Sequence, residues 1–376
     1  MSAQATLLFV VVVGARFAVP LFIPRYPLPA IVAALVLDGV DQTIFQAFGY
    51  DPPGYQGYDK AMDMFYLSVA YLSALRNWTS LPAMRVLRFL FFYRLAGVVL
   101  FELTEWRPLL LIFPNTFEYF FIAYEIVRLG WDPARVSMRR WVETAAAIWI
   151  FVKLPQEWWI HVAQLDVTDT LAAYPWLIPI IALVLAGAAA FGWFWLWPRL
   201  PQRAWSWHVA ADPLPVEIDT AAERDQWIAA HWRVFSAATA EKVALIGFLC
   251  VIYGNVLPER RSSHLELFLG IAGFVVINAL ISLSVARRAG SLESTVAAFG
   301  VRLLINAGLV VAADWLLRRF GGDLNTGIAL FFAVLISLLV TLDDRFRPVS
   351  QVRFSDEPDP AGEVSRSGTP HRPATS

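Results

Sequence analysis

Asp38, Asp41, Asp59 and Asp63 fall where one apolar stretch ends, a short polar loop passes and the next apolar stretch begins. Their spacing, D-x2-D-x17-D-x3-D, sets Asp38 and Asp41 about one helical turn apart and puts Asp59 and Asp63 on one face of the following helix. Carboxylates at a membrane boundary are costly unless they pair, bind a cation or do chemistry. Grouped in this way they form a candidate cradle for a divalent metal such as Mg2+, with all four as ligands. The alternative is structural: the acids cap helices at an interface or pair with Lys60 and nearby arginines. Gln42 and Gln46 share the stripe of Asp38 and Asp41, so a ligand or ion meeting that stripe would meet them too.

More ionisable groups follow in the next three apolar stretches. Arg85, Arg88 and Arg94 are spaced in multiples of three, with Glu102 and Glu105 beyond them. Such spacing has three readings: a voltage-sensing helix, a grip on the phosphate of a lipid, or arginines snorkelling to headgroups with Arg94 paired inside. Only Arg94 lies deep enough to favour the grip. Asn115, Glu118 and Glu125 share one helical stripe, and Glu143, Lys153 and Glu157 another, so both sets are expected to face the bundle interior. Glu118 and Glu143 would there neutralise Arg94 or Lys153, or line an ion path. Lys60, Arg94, Gln42, Glu118 and Glu143 are accordingly the candidate substrate-binding residues. Glu157 and His161 have metal-ligand spacing, with Asp166 and Asp169 beyond, although a histidine beside Trp158 and Trp159 is more often an interface residue.

The elements that must position these groups are membrane helices. The chain is 58% hydrophobic and 16% charged, against roughly 25% charged in an ordinary soluble domain. Runs long enough to cross the bilayer recur at 5-24, 27-47, 61-77, 82-103, 108-128, 138-160, 174-197, 241-257, 264-286, 294-316 and 325-342. The expected fold is an all-α, polytopic membrane bundle of about eleven spans. It divides into an N-terminal bundle (1-200), a soluble linker with an amphipathic helix (201-240), a four-helix C-terminal bundle (241-343) and a disordered tail (344-376). The ionisable groups concentrate in the first bundle, whereas the second shows only Arg302 with Asn306, and Asp314. No secretory cleavage pattern precedes the first run, which Arg16 interrupts, so that helix is expected to stay in the mature protein.

A net charge of -1 and the lack of a basic stripe set nucleic-acid binding aside. The one cysteine, Cys250, excludes an intrachain disulfide framework. Arginine outnumbers lysine 27 to 3, the usage of GC-rich bacterial genomes, and the expected location is a bacterial plasma membrane. Arginines after the fifth, seventh, ninth and last runs place the N-terminus outside and the C-terminus inside. The tryptophans at 193, 195, 197, 205 and 207 form an interfacial belt.

The aspartate spacing resembles that of the CDP-alcohol phosphatidyltransferases, D-x2-D-G-x2-A-R-x8-G-x3-D-x3-D, which also runs from the end of the second membrane helix into the third. All four acids match, while Gln42, Phe45, Gln46 and Tyr55 stand where the family has Gly, Ala, Arg and Gly. The resemblance covers at most residues 1 to 200. It implies that Asp38, Asp41 and Asp59 hold one or two divalent cations against a diphosphate. Asp63 would then help to bind metal and deprotonate the acceptor hydroxyl as the catalytic base. The leading expectation is therefore a membrane-embedded enzyme acting on a lipid or lipid-linked phosphate. A secondary transporter using the charged N-terminal bundle as its path is the alternative, and a scaffold with a paired polar core is a third.

Overall fold

The computed structural model describes residues 3–48, 55–163, 170–171, 173–199, 202–257, 263–319 and 325–355. Among these the chain is helical, with no strand. Four helices open the chain: α1 (Ala3–Ala18), α2 (Pro27–Ala47), α3 (Tyr55–Asn77) and α4 (Leu81–Thr104). A short α5 (Pro108–Ile112) leads into α6 (Thr116–Arg128), and α7 (Met138–Ile148) continues through wide π-type turns on either side of α8 (Leu154–Glu157). Then come α9 (Leu177–Phe191), the surface helix α10 (Ala221–His231), and α11 (Ala237–Val256), α12 (His264–Arg287), α13 (Thr295–Arg319) and α14 (Thr326–Phe354).

Among the described residues, seven helical segments are long and apolar enough to cross a bilayer: Pro27–Ala47, Pro108–Arg128, Leu177–Trp195, Ala237–Val256, His264–Arg287, Thr295–Arg319 and Thr326–Phe354. The molecule is thus a multi-pass helical protein of membrane character. α3 and α4 have 23 and 24 residues, length enough to span, but carry more ionisable groups than a simple apolar span. α1 belongs to a shorter apolar helix, Thr6–Phe22.

The helices stand side by side with two common ends. At one end the turn after α1 is tied to the end of α3, with Ser73 Oγ donating to the Ile23 carbonyl at 3.2 Å and Asn77 Nδ2 to the Pro24 carbonyl at 3.2 Å. Arg353 of α14 reaches the same end, donating to the Arg76 carbonyl. At the opposite end Asn255 of α11 donates to the Glu102 carbonyl at 3.1 Å.

One contiguous core runs from Val12 to Phe346 and includes Phe65, Phe91, Phe120, Leu249 and Leu339. α11 and α14 pack on α3, and α11 also packs on α4, so the break expected at 201-240 does not divide the core. The linker folds back instead: α10 opens with a capping box between Thr220 and Glu223 and lies on α12.

The last helix does not stop at 342. α14 runs on to Phe354 because its terminal charges are paired inside the molecule, Asp343 with Lys242 at 2.8 Å and Arg347 with Glu241 at 3.0 Å. The expected tail therefore starts at least ten residues late. Its part from 356 onward lies outside the described residues, as do Asp166 and Asp169.

Candidate functional site

Three helices build the aspartate site. α2 ends at Ala47 and α3, which starts at Tyr55, runs back alongside it, which brings Asp38 and Asp41 of α2 opposite Asp59 and Asp63 of α3. At 1.5 Å per residue, Asp41 lies about 9 Å from the end of α2 and Asp63 about 12 Å from the start of α3. The group sits inside the bundle, away from these two helix ends.

α1 supplies the third wall and the group that sequence reasoning did not assign. Arg16 extends its guanidinium among all four carboxylates. Nη1 meets Asp41 Oδ2 at 2.5 Å and Asp59 Oδ1 at 3.4 Å, and Nη2 meets Asp63 Oδ1 at 3.1 Å and also Asp38 Oδ1. Arg16 and Asp41 are 4% and 0% exposed, which takes these charges out of water. Lys60 adds a second cation, 2.9 Å from Asp59 and 4.0 Å from Asp63. The ring of Tyr58 lies against the Arg16 guanidinium, 5.5 Å from its centroid. Four carboxylates therefore face two cations, and if all are ionised the cluster keeps a charge of -2.

Asp38, Asp59 and Asp63 each offer one carboxylate oxygen within 4.8 Å of the others, an arrangement that could hold a metal ion. Asp41 stands outside that trio and belongs to Arg16. A cation in the trio would draw on carboxylates that Arg16 already holds, so metal and guanidinium compete for the same negative charge. Of the other residues on the α2 stripe, Gln42 is half-buried beside the site and Gln46 is exposed. Phe45 is 1% exposed and packs on Phe9, with ring centroids 6.0 Å apart.

A second buried network begins one turn along α3. Tyr66 donates to Glu118 Oε1 at 2.6 Å, and the other oxygen of Glu118 receives Asn115 at 3.2 Å and Lys153 at 3.5 Å. Lys153 also sits over the ring of Tyr119, 4.0 Å from its centroid. Glu157 accepts from the Asn115 amide at 3.1 Å and stands 3.9 Å from Arg94, which donates to the Phe113 carbonyl at 2.8 Å. Gly97 makes that last bond possible, because a Cβ there would collide with Phe113. Here two acids face two bases, and the network is neutral.

Glu143 does not join them. Its side chain is 57% exposed and pairs with Arg139 at 2.8 Å, one turn away on the surface. Two wide turns, Trp149–Lys153 and Trp158–Val162, flank Pro155. Each holds an extra residue and rotates the helix after it by roughly 100°. The first such turn separates the faces of Glu143 and Lys153, which an unbroken helix would have aligned. Glu118, Lys153 and Glu157 meet as expected, but Glu143 is corrected to a surface residue. Arg94 turns Nη1 to Phe113 and Glu157, while its buried Nε has no hydrogen-bond partner among the described residues.

Sequence reasoning also missed a charged cluster in the second half. Lys242 pairs with Asp343 and Asp344, Arg302 with Asp344 at 2.8 Å, and Arg347 with Asp343 at 2.6 Å and Glu241 at 3.0 Å. Glu241 also faces Tyr71 and Arg88 of the first half. The signal was the D-D-R-F-R run closing the last apolar stretch, which reads as a span end followed by tail.

No family model, curated protein or solved structure matches this chain.

Proposed function

We propose that the protein is a cation-coupled secondary transporter and that the Arg16-centred aspartates are its coupling site. The observation that carries this reading is the charge balance: one guanidinium reaches all four aspartates, yet the acids still outnumber the bases by two. Two uncompensated carboxylates inside a bundle take up protons or a cation, because a bare buried charge is far costlier than an occupied one. Arg16 then acts as a tethered counter-ion that yields carboxylate contacts as the cation enters. The neutral network from Tyr66 to Arg94, one turn along α3, continues the polar path into the bundle.

About eleven helices would cross the bacterial plasma membrane, the seven strongly apolar ones together with α1, α3, α4 and the α7–α8 helix. Arg128, Arg135, Arg139, Arg140, Arg287 and Arg288 lie at the end where α1 turns into α2, which makes that end cytoplasmic and opens the aspartate site towards the outside.

The test is a charge-movement measurement on proteoliposomes adsorbed to a solid-supported membrane. Steps in proton, Na+ or Mg2+ concentration should give a transient current with the native chain and none with Asp38→Asn/Asp63→Asn. If the native protein gives no current for any of the three cations, the coupling site is not there.

One observation favours a second reading. The trio of Asp38, Asp59 and Asp63 has oxygens close enough for one metal ion, as a transferase resembling the CDP-alcohol phosphatidyltransferases would need. Asp63 would then be the base and a lipid-linked phosphate the substrate. Phe45 fills the space beside Phe9, so this reading involves no cytidine group. Mg2+-dependent release of labelled phosphate from a bacterial lipid extract, lost in Asp63→Asn, would favour it over transport.

A further inference from the structure

A cavity of about 270 Å³ opens between α10, α12, α13 and α14, away from the aspartate site. Three arginines line it, Arg224 of α10, Arg302 of α13 and Arg345 of α14, against a single carboxylate, Asp344. That carboxylate is already committed to Lys242, Ser282 and Arg302.

Arg224 is 4% exposed, and among the described residues its guanidinium has no hydrogen bond or ion pair. The acids that act on it, Glu293 and Asp225, stay beyond ion-pair distance and serve other groups: Glu293 accepts from the Ala221 amide, and Asp225 from the Ser291 amide at 2.9 Å. Arg302 uses Nη2 on Asp344 and Ser282, while its buried Nη1 has no partner. Arg345 donates to the carbonyls of Leu292 and Glu293, with no carboxylate within ion-pair distance among the described residues.

A buried guanidinium without a partner is among the costliest groups a fold can keep. Two with free donors beside a third, around one cavity, form an oxyanion receptor, since forked donors match phosphate and carboxylate oxygens. On the α13 side the wall is apolar and faces outward, with Val301 and Ile305 49% and 38% exposed.

We propose that this cavity binds a phosphate-bearing anion, held by Arg224, Arg302 and Arg345, with room against α13 for an apolar substituent. The phosphate comes either from a soluble phosphate compound or from the headgroup of an acidic lipid. This site is independent of the transport reading, and its test does not involve the aspartates.

The experiment follows thermal unfolding of the full chain in neutral detergent, with two probes. The first is inorganic phosphate against chloride at matched ionic strength. The second is phosphatidic acid against phosphatidylcholine in mixed micelles. Phosphate, phosphatidic acid or both should raise the unfolding temperature of the native chain, and Arg224→Gln and Arg345→Gln should weaken that response roughly tenfold or more. Without either probe, Arg224→Gln should be at least as stable as the native chain, because it removes an unpaired buried charge. A response to phosphate identifies a soluble ligand, and a response to phosphatidic acid alone identifies a lipid headgroup. If neither probe separates the native chain from Arg345→Gln, or if Arg224→Gln alone unfolds the protein, the site is not an anion receptor.

Discussion

Arg16 Nη1 and Asp41 Oδ2 meet at 2.5 Å although 25 residues separate them and both side chains are buried. That contact joins α1 to α2, and the same guanidinium joins both to α3 through Asp59 and Asp63. A single side chain is thus the electrostatic hub of three helices.

Arg16→Gln should be strongly destabilising in neutral buffer, by about 3–5 kcal/mol, because it leaves buried acids without their main counter-charge. The loss should shrink when Mg2+ is supplied, because a divalent cation returns positive charge to the carboxylates. Unfolding midpoints in detergent, with and without Mg2+, check this. A native-like midpoint in neutral buffer without Mg2+ would show that Arg16 does not hold the cluster.

Glu118 and Lys153 stand 3.5 Å apart and are both buried. Glu118→Gln and Lys153→Met should each cost several kcal/mol, since each strands a charge, while the double substitution should cost less than the sum. A double-mutant cycle on unfolding midpoints measures the difference, and strict additivity would mean that the pair is not coupled.

Glu143→Ala, in contrast, should change stability by no more than about 0.5 kcal/mol, because an exposed i,i+4 pair with Arg139 is worth little. It should also leave any cation-dependent current unchanged. A large effect on either would put Glu143 back in the bundle interior.

At the surface helix, hydrogen bonds from the Thr220 hydroxyl and amide hold the Glu223 carboxyl below the usual carboxylate range. A depressed value means that the cap contributes stability above the ordinary carboxylate pKa and loses it as the pH falls through the lower folded value. Amide exchange over Ala221–His231 should therefore accelerate, relative to the intrinsic rate, as the solution is acidified through that range. Thr220→Ala should remove the pH dependence. Equal protection across the range in the native chain would show that the capping box does not hold α10.

The helical and membrane character was legible because apolar runs of spanning length need no partner to be recognised. The meeting of the four aspartates was legible too, since α3 starts soon after α2 ends and packs alongside it. Their partner was not: Arg16 registers in the sequence only as an interruption of the first apolar run, and no local pattern ties it to residues 22 to 47 positions away. Glu143 was misplaced because stripes drawn at a constant angle per residue fail across the wide turn Trp149–Lys153. Lys242, Asp343, Asp344 and Arg347 were missed for another reason. Each lies at the end of an apolar run, where charge ordinarily meets water, and only the packing of α11 and α14 on α3 encloses them.

The Arg16 hub also bears on how the chain is made. Before α2 and α3 are made, Arg16 has none of these acids to meet, and an unpaired arginine in a membrane helix carries an insertion penalty that reaches about 2.5–3.5 kcal/mol at the helix centre. Its last carboxylate, Asp63, is synthesised 47 residues later. The first three helices therefore gain by leaving the insertion machinery together, and a ribosome paused between α1 and α3 would hold a helix with good reason to wait at the exit.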